Sequence, residues 1–149
     1  IMDKKISIIL STYNEASIIE TTINKIFSTL DNVEIVLVDD NSTDGTLEIL
    51  NSIDNKNLKV FSRKSRGLAS AFLLGMINTN GDYLGWTDSN MPQLTRHFKE
   101  MINKLEEYDV VLLSRYVDGG GDQRSGMRVL SSKVINIICR IILDSEIKD

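Results

Sequence analysis

Four short polar clusters hold most of the side chains in this chain that could do chemistry. They are Ser11-Thr12-Tyr13-Asn14-Glu15, Asp39-Asp40 with Asp44 behind them, Asp88-Ser89-Asn90, and Ser114-Arg115. Adjacent carboxylates at the end of an apolar run do not serve a core, because an unpaired buried charge is strongly unfavourable. They point to a site instead. Asp88 and Asn90 set two oxygen-bearing side chains at i and i+2 with a small residue between them. That spacing suits a hard cation such as Mg²⁺ or Mn²⁺, which takes oxygen ligands and shares them with nucleotide phosphates. It suits equally a turn in which Asn90 caps a helix near Pro92, and spacing alone does not choose between the two. Arg63, Lys64 and Arg66 beside Gly67, and later Arg115, Arg124 and Arg128, supply cations. The arginines match phosphate oxygens by their bidentate geometry. Acids and arginines together describe a cation–diphosphate site.

A parallel sheet is the framework that would bring these clusters together. The near-continuous apolar run Lys5–Thr12 reads as a strand buried on both faces, and Val33–Asp39 as a second. Shorter strands are expected at Leu58–Ser62, Tyr83–Thr87 and, fifth, Val110–Leu113. Between them Ile18, Ile19, Thr22, Ile23, Ile26, Phe27 and Leu30 recur at helical spacing. Further helices are expected at Thr46–Ile53, Leu68–Asn78, Leu94–Glu107 and Met127–Leu143. Asn80-Gly81-Asp82 is a turn signal, Gly119-Gly120-Gly121 a flexible loop, and Trp86 reads as a core residue. Strict β-α alternation implies an α/β fold, a mostly parallel sheet with right-handed crossovers and helices on both faces. In such a sheet every strand's carboxyl end lies on one edge, where ligands bind. All four clusters follow an expected strand, so they can converge although they are far apart in sequence.

Composition narrows the class. With 149 residues, 42% hydrophobic and 26% charged, the chain is the size of one soluble domain with its own core. A net charge of −4 with both signs interspersed excludes the basic stripe of a nucleic-acid binder. Cys139 is alone in an apolar run, so it reads as a small buried hydrophobe and no disulfide framework is expected. No GxGxxG follows the first strand and no GxxxxGK[ST] occurs, which removes the dinucleotide and P-loop readings. A response-regulator receiver would carry its acidic pair after the first strand, not the second. No apolar run is long enough for a membrane span. The wide apolar face of the last helix is expected to be buried by further chain, a second subunit or a membrane surface.

Taken in order, several segments carry a resemblance. They are Ser-Thr-Tyr-Asn-Glu (11–15), Val-Asp-Asp-Asn-Ser-Thr-Asp-Gly-Thr (38–46), Arg-Gly-Leu-Ala-Ser-Ala-Phe (66–72), Gly-Asp-Tyr (81–83) with Asp88-Ser89-Asn90, and Ser-Arg-Tyr-Val-Asp-Gly-Gly-Gly (114–121). The chain resembles the family 2 glycosyltransferases of GT-A fold, and within them the dolichol-phosphate mannosyltransferase-like, polyprenyl-phosphate glycosyltransferase branch. The acidic turn is common to the wider family, whereas Ser-Arg-Tyr with the triple glycine points to the branch. The resemblance covers the whole chain and implies one nucleotide-sugar-binding domain over 1–149. The chain would stop before a further family segment, so it is expected to be incomplete at its carboxyl end.

The resemblance also implies roles. Ser11, Tyr13, Asn14, Glu15, Asp39, Asp40 and Ser89 would bind the nucleotide, and Asp88 and Asn90 would occupy the two acidic positions of the DxD motif that holds Mg²⁺ or Mn²⁺. Asp88, Arg115 and Arg128 would act in catalysis, the arginines meeting donor and acceptor phosphates. The implied reaction is inverting transfer of a sugar from a GDP- or UDP-linked donor to a polyprenyl phosphate. The implied place is the cytoplasm or the cytoplasmic face of a membrane, through peripheral contact or a membrane-spanning region outside this span, with homo-oligomers a further expectation. The alternative is a weak or inactive nucleotide-binding module with an assembly role. Two departures from the family pattern stand out. Asn90 removes a negative charge from the metal motif, and Pro92 arrives where a further metal ligand is expected.

Overall fold

A computed structural model describes residues 4–114 and 126–143. The chain divides into two compact units, Ile1–Tyr108 and Asp109–Asp149. The first holds a four-stranded sheet, β1 (Ile6–Thr12), β2 (Val33–Asp39), β3 (Leu58–Ser62) and β4 (Tyr83–Asp88), in the order β3-β2-β1-β4. Every pairing is parallel. The central strands β1 and β2 are apolar and largely β-branched, which suits a position covered on both faces.

Strand alternation sorts their side chains. Ile6, Ile8 and Leu10 of β1 and Val33, Ile35 and Leu37 of β2 join Ile19, Ile23 and Ile26 of α1 (Ile19–Thr29) in one buried cluster. Leu50 of α2 (Thr46–Ser52) and Phe98 and Ile102 of α4 (Phe98–Lys104) belong to the same cluster. The opposite face, with Ile9, Val36 and Val38, meets α3 (Leu68–Met76). Gly75 of α3 sets that contact, since a Cβ there would lie 2.5 Å from Ile9 Cγ2. Burying each of these branched side chains contributes about 1.5–3 kcal/mol, so the two central strands carry much of the unit's hydrophobic stabilisation.

The register brings the carboxyl ends of the strands flush. Thr12 pairs with Asp39, Ser11 with Asp88, and Asp39 with Ser62. The other end of the sheet is closed by a polar knot on Glu34. Its carboxylate accepts from Ser7 Oγ at 2.6 Å and the Asn80 N–H at 2.8 Å, with Lys5 and Lys59 Nζ at 3.0 and 3.1 Å. The Gly81 N–H donates to Ser7 Oγ and the Lys5 N–H to Asp82, which explains the Asn80-Gly81-Asp82 turn. Burial pushes the Glu34 carboxyl up, but Ser7, the Asn80 N–H and the two lysines outweigh it and bring the value down to about 2.

Three expectations are corrected. Val110–Leu113 forms no strand, and the described residues of its unit hold no strand for it to pair with. β-branched propensity makes a strand only where a ladder partner completes the hydrogen bonds. Trp86 is 47% exposed, not core. It lies on β4, an edge strand of the described sheet, with the Phe72 ring of α3 5.5 Å from its own, centre to centre. The helix expected at Leu94–Glu107 begins as a 3₁₀ segment, Pro92–His97, and becomes α4 only from Phe98. The Leu94 N–H donates to the Met91 carbonyl at 3.1 Å, the i,i+3 closure of a 3₁₀ turn, and the Thr95 hydroxyl braces it by donating to the Pro92 carbonyl at 2.9 Å.

The second unit contains α5 (Gly126–Leu143). Leu130, Val134, Ile135 and Ile137 on it are exposed. Among the described residues no helix is long and apolar enough to cross a membrane. Arg115, Gly119, Gly120, Gly121 and Arg124 lie outside the described residues, as do the side chains of Arg128 and Cys139 on α5.

Candidate nucleotide cleft at the strand ends

Two loops build one wall of the site by exchanging hydrogen bonds. The acidic turn after β2 folds on itself: Asp39 is fully buried, accepting from the Ser42 N–H at 3.1 Å and from Ser42 Oγ. Asp44 accepts from Thr46 Oγ1 at 2.5 Å and the Thr46 N–H at 3.1 Å, opening α2. It also accepts from the Ala16 N–H at 3.0 Å. The Thr46 hydroxyl and the Ala16 N–H hold the Asp44 carboxyl below its ordinary range. Asn14, at φ 55°, accepts from the Thr43 N–H at 2.8 Å and donates its own N–H to Ser42 Oγ at 2.9 Å. The Glu15 N–H donates to Thr46 Oγ1 at 3.0 Å. Asp39 thus spends its polar atoms folding its own turn, the usual work of an Asx turn, while Asp44 and Asn14 hold loop against loop.

Asp40 faces the other way. Arg63 donates to it from Nε at 2.5 Å and from Nη2 at 3.1 Å, and the Gly67 N–H adds a third bond at 3.0 Å. Arg63 also reaches the Gly67 carbonyl and Ser70 Oγ, so its guanidinium is committed within the protein. That corrects the expectation of Arg63 as a phosphate cation. Burial raises the Asp40 carboxyl, but Arg63 and the Gly67 N–H overcome it and hold it below the usual carboxylate range. Gly67 sits at φ 149°, a conformation side-chain-bearing residues rarely adopt, and it carries the chain into α3. This latch brings Arg66 over the ring of Tyr13, its Cζ 3.7 Å from the ring centre.

Between these walls lies an open cleft of about 190 Å³. Of the expected nucleotide and metal residues, Ser11, Tyr13, Glu15, Asp40, Asp88, Ser89 and Asn90 line it. Asn14 and Asp39 do not; they lie behind it as framework. Arg115 and the Arg128 side chain lie outside the described residues. Sequence reasoning missed two lining residues, Thr12 and Leu68. Thr12 Oγ1 is buried without a hydrogen-bond partner, the only such side-chain atom among the described residues. Its signal was its place one residue before Tyr13, at the very end of a buried strand.

The third wall is the loop after β4. The Ser89 carbonyl accepts from Thr22 Oγ1 at 2.6 Å, which ties the loop to α1. Asn90 caps no helix: Met91 is the capping residue and the Asn90 amide donates to Glu15 Oε1 at 2.9 Å. Asp88 is exposed at the strand tip. A divalent cation entering the cleft would meet, among the described residues, the exposed carboxylate of Asp88 beside an amide already engaged. Among the described residues no three His, Cys, Asp or Glu side chains converge to hold a metal ion. The donor set fits a cation that arrives with phosphate oxygens of its own, through Asp88.

A family model, Glycosyl transferase family 2, matches residues 7–147. The chain is 36% identical to a dolichol-phosphate mannosyltransferase of Pyrococcus furiosus, over 97% of this chain and 44% of that protein. It is similar to the crystal structure of S. aureus TarS 1-349 in complex with UDP, at 30% identity and a TM-score of 0.60, over 81% of this chain and 38% of that one. It is similar also to a mannosyltransferase of Pyrobaculum calidifontis in complex with GDP-Man and Mn²⁺, at 28% identity and a TM-score of 0.53, over 58% of this chain and 28% of that one. The chain spans less than half the length of the curated relatives it matches. The GT-A-like α/β expectation is met, with four parallel strands.

Proposed function

Because the chain belongs to glycosyl transferase family 2, we propose that residues 1–149 form a nucleotide-sugar-binding domain. We infer that the protein transfers a sugar, with inversion, from a GDP- or UDP-linked donor to a polyprenyl phosphate. One observation carries the reading: Tyr13, Glu15, Asp40, Asp88, Ser89 and Asn90, drawn from three strand ends, line a single cleft. Relatives with a nucleotide or nucleotide sugar bound support it, and the dolichol-phosphate mannosyltransferase supports a polyprenyl phosphate acceptor.

In this reading Tyr13, backed by Arg66, offers a ring face to the base, while Ser11, Glu15 and Ser89 line the ribose and diphosphate path. Asp40 acts through Arg63 and Gly67, fixing the loop that carries Arg66. Asp88 meets the diphosphate side, where Mg²⁺ or Mn²⁺ bound with the donor would offset the charge of the leaving nucleoside diphosphate. Arg115 and Arg128 are assigned to donor and acceptor phosphates. A phosphate oxygen of the acceptor forms a bond to the anomeric carbon from the face opposite the breaking bond to the diphosphate oxygen, so configuration inverts. That oxygen is already anionic at neutral pH, so no side chain has to remove a proton.

Calorimetric titration with GDP- and UDP-sugars, with and without Mn²⁺, tests the binding half. Saturable binding of one donor is expected, and whatever gain Mn²⁺ gives is lost in Asp88→Ala. Absence of binding to either nucleotide class contradicts it. The anomeric configuration of a polyprenyl-phosphate product, read by NMR, tests the inversion.

A further inference from the structure

The contact between Asn90 and Glu15 joins two loops that the sequence separates by 75 positions. Its polarity is fixed by chemistry. An ionised carboxylate only accepts, so the amide nitrogen of Asn90, not its oxygen, must face Glu15. The loop is held from behind as well, through Thr22 and the Ser89 carbonyl. Both partners line the cleft beside Asp88, which pairs in register with Ser11 at the end of β1. A carboxylate at position 90 could not keep this contact without a cation between it and Glu15, since like charges at hydrogen-bonding distance repel.

Resting on the nucleotide reading above, we propose that Asn90 is a positioning residue and not a cation ligand. Its uncharged carboxamide crosslinks the β1 and β4 loops by donating to the Glu15 carboxylate, where two facing acids would need a divalent ion. The cleft of this chain is therefore formed before any cation arrives, and it holds a nucleoside diphosphate with little dependence on one. The single difference between an acid and an amide at position 90 then sets whether the free protein has a cation site of its own.

The test uses the whole chain as wild type, Asn90→Asp and Asn90→Ala. Mn²⁺ is titrated alone and followed by the paramagnetic resonance of the free ion, and UDP and GDP are titrated by calorimetry in EDTA and in Mn²⁺. Wild type is expected to leave the free-ion signal unchanged, and Asn90→Asp to deplete it. For the nucleotide that binds, the ratio of the Kd in EDTA to that in Mn²⁺ should be within about 3-fold for wild type. It should exceed about 10-fold for Asn90→Asp, the scale of one charge pair. Asn90→Ala should weaken binding by the same factor in both media, because it removes the crosslink without adding charge. If wild type binds Mn²⁺ alone as tightly as Asn90→Asp, or loses its nucleotide in EDTA by the same factor, the positioning role is overturned while the nucleotide site stands. If wild type binds no nucleotide in either medium, the proposed function falls and this role with it.

Discussion

Arg63 grips both oxygens of Asp40, through Nε at 2.5 Å and Nη2 at 3.1 Å, across 23 positions of sequence. The same guanidinium holds the Gly67 carbonyl, and the Gly67 N–H returns to Asp40 at 3.0 Å. The pair therefore fixes the loop between β3 and α3, and with it the place of Arg66 on Tyr13. Arg63→Ala leaves a part-buried carboxylate short of its donors, so a stability loss of about 2 kcal/mol in urea unfolding is expected. Nucleotide affinity should fall with it. Arg63→Lys should restore little of either, since an ammonium cannot reproduce the two-point grip.

Tyr13 is the aromatic side chain of the cleft, and Arg66 covers one face of its ring. If a base stacks on it, Tyr13→Ala weakens nucleotide binding by about 1–3 kcal/mol while Tyr13→Phe keeps most of the affinity. Titration of both variants against wild type reads the difference directly. Equal weakening by Phe and Ala would shift the role from the ring to the hydroxyl.

The buried hydroxyl of Thr12 has no partner among the described residues. Replacing it with an apolar group of the same shape removes an unsatisfied donor, so Thr12→Val should raise the stability of the free protein by about 1 kcal/mol. Thermal unfolding without ligand measures it. A loss of stability would mean that an ordered water satisfies the hydroxyl.

Glu34 sets an acid limit on stability. Its value in the folded protein, about 2, lies below its ordinary value of 4.5. The stabilisation is thus fully present above pH 4.5 and is lost as pH falls through about 2. Unfolding free energy measured from pH 5 to 2 should decline in wild type. In Glu34→Gln it should begin lower by about 2 kcal/mol and decline less steeply.

The parts of this fold that could be read in advance are those where composition and burial agree. β1 and β2 are apolar along their whole length because both faces are covered, and their ends are visible where the polar clusters begin. Val110–Leu113 and Trp86 misled because each has the composition of a buried strand, while strand formation and burial depend on neighbours that residue type does not report. The acidic turn shows the same limit at the site. Asp39, Asp40 and Asp44 are alike as carboxylates, yet two of them bind loop backbone and hydroxyl groups and only Asp40 reaches the cleft. Which way a carboxylate turns is decided by partners such as Arg63 and Ser42, and those pairings are tertiary. The Asn90–Glu15 bond had no local signal at all.

The central claim is that a nucleotide sits at the carboxyl ends of β1, β2 and β4. Backbone amide NMR of the isotope-labelled chain, titrated with UDP and with GDP, measures this residue by residue. Shifts that saturate and concentrate at Ser11–Glu15, Asp40, Arg66–Leu68 and Asp88–Asn90 are predicted, with the Glu34 end of the sheet unmoved. Saturating shifts centred on Lys5, Glu34 and Asn80, or no shifts with either nucleotide, would contradict it.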